Sequence, residues 1–204
     1  MSAPQQPATR GRPRLITRER IAEAGIAIGL PHITFVGVAA AIGVSHMALY
    51  KHVANLEALK ILVAEEMFQR WQIPQAHECA DLVSYMLRFA DSIQAFVKAH
   101  PGLTPYIIRR SVATESMLAK IIGHQAHIAQ AYVLSQDSAR WLLATVAFHC
   151  FAVADTVYSA TSLEPLPGVD QEAEKLEMEA ALVHGVRALI NGAVGMLAEA
   201  GDGV

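Results

Sequence analysis

Cysteine is nearly absent from this sequence, since only Cys79 and Cys150 occur among its 204 residues. Two cysteines cannot build a disulfide framework, so disulfide-rich folds are excluded, and Cys79 and Cys150 lie too far apart in the sequence for the paired cysteine ligands of a zinc finger. Both cysteines lie in apolar segments with helical periodicity. We therefore expect them to be ordinary core residues.

Aromatic and charged residues are also scarce, at 6% and 17% of the chain, whereas hydrophobic residues make up 53%. This balance excludes disorder for most of the chain. Alanine and isoleucine are abundant, clusters of proline and glycine are few, and no segment shows the alternation of a β-strand. The sequence therefore predicts an all-α protein.

No long hydrophobic run is present. The longest, residues 142–154, is about thirteen residues long and contains His149, which is too short to cross a bilayer. The first fifteen residues are polar and rich in proline, so no signal peptide is predicted. We expect a soluble, cytoplasmic protein without a membrane partner.

Catalytic motifs are missing from residues 75–204, which contain no glycine-rich phosphate loop, nucleophile motif or paired carboxylates in an ordered setting. We therefore predict no catalytic residue and no cofactor. His124 and His127 have a spacing that suits two ligands on one helical face, but no cysteine or carboxylate accompanies them, so no metal is predicted. A small helical enzyme would have to use these two histidines with His149 and Asp155, and this alternative stays open.

Capping residues, glycine and proline divide the chain into helices. Pro4, Pro7 and Pro13 predict a flexible arm over residues 1–16, while Thr17, Thr34, Ser45 and Asn55 are candidate helix caps. The first predicted helix follows Thr17 and ends near Gly29 and Pro31. The other predicted helices are 35–43, 46–53, 56–71, roughly 78–99, and about 104–110, 114–133, 136–160 and 171–199.

Charge is distributed unevenly along the chain. Residues 1–60 contain seven basic and three acidic side chains, a net charge of +4, whereas the remainder contains nine and sixteen, a net charge of −7. This asymmetry indicates that the first part meets a polyanion and the second does not. A solvated basic tail would give the same numbers.

Residues 34–53 have the pattern of a helix-turn-helix. Ala39 is small enough for two helices to cross closely, and Gly43 tolerates a left-handed turn. The unit would bury an apolar core of its own, which leaves a second set of side chains directed outward at the start of the third helix. The predicted core residues are Val38, Ile42, Val44, Leu49 and Val53, and the outward residues are His46, Met47, Ala48, Tyr50 and Lys51.

Such a helix enters the DNA major groove with its N-terminal end. Tyr50 and Lys51 suit phosphate contacts, His46 and Met47 suit base contacts, and the backbone N–H groups near Thr34 and Ser45 can bind phosphate. An αα-corner whose polar residues face solvent has the same spacing, so this second interpretation stays open.

The residues also resemble a known family. Residues 17–62 are similar to the DNA-binding region of the TetR (tetracycline-repressor-like) family, whose most specific signature here is Gly43-Val44-Ser45 followed by Leu49-Tyr50-Lys51-His52. The resemblance implies that one set of residues contacts DNA, and the arm adds arginines suited to the minor groove. The predicted DNA-binding residues are Thr34, Ser45, His46, Met47, Ala48, Tyr50, Lys51, His52, Arg10, Arg12 and Arg14.

Two departures from this family pattern bear on affinity. The family usually has phenylalanine where Val53 stands, and lysine where Leu56 stands at the start of the fourth helix. That lysine normally contacts the DNA backbone. One phosphate contact is therefore expected to be missing here, and binding to depend less steeply on salt.

The C-terminal half predicts a homodimer. The predicted helix 136–160 is apolar nearly all round, and the helix 171–199 carries two apolar stripes, so one face is left for a second surface. A bundle formed by these two helices from each of two subunits would cover it. A monomer with a broad core is the alternative.

Residues 100–103 and 184–197 resemble the ligand-binding and dimerisation half of the tetracycline-repressor branch. The resemblance implies a small-molecule pocket among the central helices, for an unidentified and largely apolar effector. Helical phase then suggests the pocket walls, which are Met86, Phe89, Phe96, Tyr106, Met117, Ile121, His124, Phe148, Phe151 and Asp155.

Together these features predict three parts: a flexible basic arm (1–16), a helix-turn-helix domain (17–60) and a helical ligand-binding and dimerisation domain (61–204). The predicted function is that of a ligand-responsive homodimeric transcriptional regulator, in this family most often a repressor, on a palindromic DNA operator. A helical protein-interaction module or an enzyme without DNA recognition remains the alternative.

Overall fold

The computed structural model describes residues 16–158, 168 and 170–201, and these residues are all-α, as predicted. Each predicted cap accepts a hydrogen bond from a backbone N–H in the first turn of its helix. The α-helices of the described residues are α1 (Arg18–Ile28), α2 (Phe35–Ile42), α3 (His46–Leu49), α4 (Leu56–Arg70), α5 (Leu82–Ala99), α6 (Thr104–Ile108), α7 (Glu115–Ala131), α8 (Gln136–Tyr158) and α9 (Gln171–Glu199).

Two predicted helix boundaries are wrong by about one turn. Helix α3 ends at Leu49 and not at residue 53, because the N–H groups of Lys51 and His52 bond three residues back, to the carbonyls of Ala48 and Leu49 at 3.3 and 2.9 Å. Helix α5 begins at Leu82 and not at residue 78, because Asp81 caps it. The Asp81 carboxylate accepts from Ser84 N–H at 2.7 Å.

Helices α1, α2 and α3 pack into one small unit. Gly43 adopts the predicted left-handed conformation, with φ of 74°, in the turn between α2 and α3. Val38, Ile42 and Leu49 are buried inside the unit, as predicted. The Arg20 guanidinium on α1 donates to the Ile42 carbonyl at 3.0 Å and so satisfies the C-terminal end of α2.

Helix α4 joins this unit to the larger helical body, because it packs against α1 on one side and against α6 and α7 on the other. The closest approach to α1 is at Gly25, where a Cβ atom would overlap the methyl groups of Val63. Buried residues of both parts form one continuous core. The body is built from α5, α7, α8 and α9, with α8 packed against the other three.

Substitution of Gly25 tests how closely α1 packs against α4. We expect Gly25→Ala to lower the free energy of unfolding by about 2 kcal/mol, because the added methyl group overpacks the α1–α4 contact. Gly123→Ala on α7 is the matched control, since its Cβ would meet open space, and we expect it to raise stability by up to about 1 kcal/mol. Urea unfolding measures both. If Gly25→Ala has the same free energy of unfolding as the wild-type protein, Val63 has room to move away from the added methyl group.

The sequence predicted no apolar segment long enough to cross a membrane, and helices α8 and α9 differ from this prediction. Both are long and apolar enough to cross a membrane by length and composition. Core helices of a bundle pass the same test, and each of these two has one face buried against other helices of the chain. Cys150 is buried on α8, as predicted for a core residue, and burial raises the pKa of its thiol to about 12.

Candidate functional site

The predicted DNA-contacting side chains form an exposed patch on α3 and the turn after it. His46, Met47, Lys51 and His52 are exposed, with Met47 63% accessible, while Ala48 is half-buried. Leu49 points inward with no exposed surface and fixes this orientation. We call this patch, together with exposed Thr34, Ser45 and Tyr50, the α3 surface.

The two capping hydroxyls of the α3 surface point at their own helices. Thr34 Oγ1 accepts from Gly37 N–H at 3.0 Å, and Ser45 Oγ accepts from Ala48 N–H at 3.2 Å. Because each oxygen serves as an acceptor, its own hydrogen remains able to donate to a phosphate oxygen. Both caps therefore fit a phosphate-facing edge, although neither residue carries charge.

Tyr50 has a second role that sequence reasoning missed. Its ring stacks on Phe35 of α2, with the ring centroids 4.1 Å apart and an interplanar angle of 10°. This contact ties the end of α3 to the beginning of α2 and fixes the direction of the phenol. The only signal for this contact in the sequence is that two aromatic residues, Phe35 and Tyr50, stand fifteen positions apart on either side of the turn.

The basic residues of the first sixty positions do not all face outward to DNA. Arg20 bonds the Ile42 carbonyl, and Arg18 lies 3.5 Å from Glu65 on α4. Lys51 is the one lysine or arginine of the α3 surface itself. Arg10, Arg12 and Arg14 lie outside the described residues.

The two departures from the family pattern have different structural consequences. Val53 is buried, so its replacement of a larger residue changes core packing and not an exposed contact. Leu56 is 40% exposed at the first position of α4, where a charged side chain would lie at the surface. Only the second departure removes a possible phosphate contact.

Several predicted pocket residues meet in the interior of the body around a residue that was not predicted, Trp71. Its ring stacks on Phe96 with 5.0 Å between centroids and a 5° interplanar angle, and Phe89 and Phe151 each lie 6.1 Å away. Phe68 completes the group at 5.8 Å. We call these five rings the aromatic cluster. Trp71 terminates α4, so the cluster is attached directly to the helix that joins the body to the unit formed by α1, α2 and α3.

A hydrogen-bonded pair lies beside the aromatic cluster. The Tyr85 hydroxyl and His124 Nε2 share a hydrogen bond of 2.9 Å between α5 and α7, and the His124 ring lies 5.5 Å from that of Phe89. Burial, with smaller contributions from His127 and Lys120, lowers the pKa of His124 to about 4, and burial raises the pKa of Tyr85. Both groups are neutral at pH 7. His127 is exposed, so the two histidines do not face one interior site.

Lys120 on α7 binds the C-terminal end of α4 through three hydrogen bonds, which we call the clasp. Its ammonium donates to the carbonyl oxygens of Phe68, Gln69 and Trp71 at 2.8, 2.9 and 2.7 Å. These carbonyls lie at the C-terminal end of α4, where helical N–H donors run out. The Phe68 carbonyl also accepts from Trp71 N–H at 3.3 Å, and the ammonium uses its three hydrogens to satisfy this terminus. One turn earlier, Ser116 Oγ accepts from Gln69 Nε2 at 2.8 Å. Sequence periodicity gave no signal for this clasp.

The remaining predicted pocket residues are dispersed. Met86 and Met117 are buried, whereas Tyr106, Ile121 and Asp155 are half-buried. Phe148 is 60% exposed on the outer face of α8, so it does not line a pocket inside this chain.

The cavities found in the described part of the chain lie away from the predicted pocket residues. A groove of about 520 Å³ runs between residues 72–78 and α5, and the Arg88–Glu78 ion pair of 3.2 Å is part of its wall. Its wall also includes Ser92, whose hydroxyl donates to the Phe89 carbonyl. Ser92 thereby connects the wall of the groove to the backbone of Phe89, a member of the aromatic cluster. Across the residues that the structure describes, no three histidine, cysteine or carboxylate side chains come together in a way that could hold a metal ion.

Apolar side chains also remain exposed on α8 and α9. Trp141 and Phe148 lie two turns apart on α8, and Leu176, Val183 and Met196 are exposed on α9. The two predicted stripes of this helix do not separate into a buried and an exposed face. Leu182 and Val186 of one stripe are buried together with Ile190 and Val194 of the other. We call the exposed residues on α8 and α9 the outer strip.

The chain was compared with protein families, curated proteins and solved structures. No family model matches the chain, and no curated protein matches it. A TetR variant from Acinetobacter baumannii AYE, solved in complex with minocycline, is 21% identical with a TM-score of 0.66, over 89% of this chain and 98% of that one. TetR from the same organism is 19% identical with a TM-score of 0.63, over 89% and 98%.

A third structure, a TetR-family transcriptional regulator from Streptomyces coelicolor, is 15% identical with a TM-score of 0.56, over 90% of this chain and 84% of that one. These similarities show that the chain has the TetR fold, with an N-terminal helix-turn-helix unit and a larger C-terminal helical domain. The predicted fold class is confirmed.

Proposed function

We propose that the protein is a sequence-specific DNA-binding transcriptional regulator that acts as a homodimer on a palindromic operator, most simply as a repressor. The observation that carries the proposal is the α3 surface: an exposed short helix preceded by a left-handed glycine turn, with hydroxyl groups and Lys51 at its edge. Arg10, Arg12 and Arg14 would add minor-groove contacts, and the function places the protein in the cytoplasm. No catalytic role is proposed.

Selection of genomic DNA fragments by the purified full chain at near-physiological salt tests this function. We expect enrichment of one palindrome whose half-sites are about one helical turn, or ~34 Å, apart or a multiple of it. Lys51→Ala should weaken binding evenly across sequences and reduce the salt dependence by about one phosphate contact. No enriched sequence with folded protein would instead favour a protein-interaction module.

Tyr50→Phe is the sharper test of the phosphate role of that residue. Because the ring stacks on Phe35, Tyr50→Ala removes packing as well as the hydroxyl, whereas Tyr50→Phe removes only the hydroxyl. A loss of affinity in Tyr50→Phe with unchanged stability would assign the hydroxyl to a DNA contact.

The homodimer is proposed to form through the outer strip, since two copies of α8 and α9 packed together would bury its apolar side chains. We expect the wild-type protein to have twice the 22.0 kDa mass of one chain in solution. Phe148→Asp should yield monomers, because it would bury an unpaired carboxylate in the interface.

Analytical ultracentrifugation at several protein concentrations measures the mass of the wild-type protein and of Phe148→Asp in solution. Ile122→Asp is the matched control, because Ile122 is similarly exposed but lies on α7, away from the outer strip. If Phe148→Asp remains dimeric, the two subunits meet elsewhere.

The effector is proposed to be a largely apolar small molecule that reaches the aromatic cluster from the groove beside residues 72–78. Because the rings of the cluster are in contact, such a ligand has to displace one of them, and Trp71 is the ring directly joined to α4. A ligand that favours one position of α4 would change DNA affinity by its differential affinity for the two conformations. Thermal stabilisation by neutral aromatic compounds, together with release of the selected DNA, tests this proposed effector site. If both effects are absent, the protein is a ligand-independent regulator.

A further inference from the structure

Helices α2 and α3 lack the side chains that read bases through paired hydrogen bonds, and Lys51 lies in the turn after α3. Between residues 33 and 50 the sequence contains no Arg, Lys, Asn, Gln, Asp or Glu. Paired hydrogen bonds to guanine need Arg or Lys, those to adenine need Asn or Gln, and Asp or Glu accepts from cytosine. Helices α2 and α3 therefore cannot recognise a base in any of these ways.

Helices α2 and α3 expose apolar side chains instead. Met47 on α3 is 63% accessible and Val36 on α2 is 67% accessible, while Ala48 is half-buried beside Met47. The apolar group that the edges of the base pairs present in the major groove is the C5-methyl of thymine. The flexible, unbranched methionine side chain is well suited to contact a methyl group.

The groups around Met47 favour DNA over an apolar protein partner. Thr34, Ser45 and Tyr50 contribute hydroxyls that can donate to phosphate oxygens, and Lys51 contributes a positive charge. An apolar centre flanked by phosphate-binding groups is complementary to the methyl-bearing floor and anionic walls of the groove.

We propose that Met47 determines sequence specificity by contacting thymine methyl groups, with His46 adding a single hydrogen bond to a neighbouring base edge. The inference rests on the DNA-binding function proposed above and names the sequence class of its operator. Half-sites contain thymine at the position that Met47 contacts, and discrimination there depends on the methyl group and not on hydrogen bonding.

Replacement of thymine by uracil in the selected operator isolates the methyl group, because the two bases present the same hydrogen-bonding atoms. We expect wild-type protein to lose about fourfold in affinity for each contacted methyl that is removed, in line with the burial of one carbon. Met47→Ala should bind the thymine and uracil duplexes within twofold of each other. Ile122→Ala is the control and should keep the wild-type difference, because Ile122 is an equally exposed apolar residue on α7, away from the α3 surface and the outer strip.

Each outcome decides one part of the inference. If wild-type protein selects a sequence but binds the uracil duplexes as tightly, methyl recognition is overturned and the DNA-binding function stands. If Met47→Ala keeps the fourfold loss, methyl recognition belongs to another residue and the assignment to Met47 is overturned. If no sequence is selected, the proposed function fails, and the inference fails with it.

Discussion

Lys120→Met is expected to lower the free energy of unfolding by about 3 kcal/mol, although it conserves much of the side-chain volume. The substitution removes an ammonium group that satisfies three carbonyl oxygens at the end of α4. Hydrogen bonds to charged groups contribute roughly 1.5–3 kcal/mol each when buried, and partial exposure of Lys120 reduces their sum. The Lys120 ammonium also lies 5.4 Å from the centroid of the Phe68 ring, so a cation–π contact is lost as well.

Lys98→Met is the matched control for this prediction. The Lys98 side chain on α5 is 60% exposed, and its ammonium lies 3.6 Å from the Glu179 carboxylate and 5.2 Å from the centroid of the Tyr158 ring. Lys98→Met therefore also removes an ion pair and a cation–π contact, but it leaves no helix-terminus carbonyl without its donor. We expect Lys98→Met to change the free energy of unfolding by less than about 1 kcal/mol. Urea denaturation of both variants at one protein concentration gives the comparison. Equal effects would mean that water replaces the ammonium at the end of α4 without loss.

The clasp has a consequence for the proposed regulation. Helix α4 carries Val63 in the contact with α1 and ends at Trp71 in the aromatic cluster, and Lys120 holds that end against α7. A change in the cluster can therefore reach the α3 surface through one rigid helix, provided that the clasp stays closed. Lys120→Met should weaken any effect of an effector on affinity for the selected DNA more than it weakens DNA binding itself.

Local signals explain why so much of the fold was predictable. A cap such as Thr34 and a turn glycine such as Gly43 act within four residues, and the structure uses both as the sequence indicated. Where a nearer cap was overlooked, at Asp81, the predicted start of α5 was wrong by four residues. The outward direction of Met47 followed from the inward direction of Leu49, which is again a local relation.

Contacts between distant residues could not be predicted in the same way. Lys120 meets carbonyls about fifty positions earlier, and Trp71 stacks on Phe96 across two helices. Periodicity tells which residues of a helix are apolar but not whether their partners belong to the same chain. This is why Phe148 was assigned to an interior pocket although it lies on the outer strip.

Acid is expected to destabilise the protein through His124. Burial lowers the pKa of this group from its ordinary value of 6.5 to about 4 in the folded state, so the unfolded chain binds a proton that the folded chain excludes. The contribution is complete above pH 6.5 and is lost progressively as the pH falls from about 6.5 towards 4. Over that range the free energy of unfolding should drop by up to about 3 kcal/mol from this residue.

His124→Gln separates this contribution from the titration of carboxylates. Glutamine does not titrate, yet its amide can still share a hydrogen bond with the Tyr85 hydroxyl, so the variant should lose the part of the pH dependence that one proton causes. His127→Gln, on the exposed side of the same helix, should keep most of the wild-type dependence, because His127 lowers the pKa of His124 less than burial does. Urea unfolding at several pH values between about 7 and 4.5 measures all three proteins. If His124→Gln follows the wild-type curve, His124 is protonated within the folded state, and the Tyr85 pair is open to water.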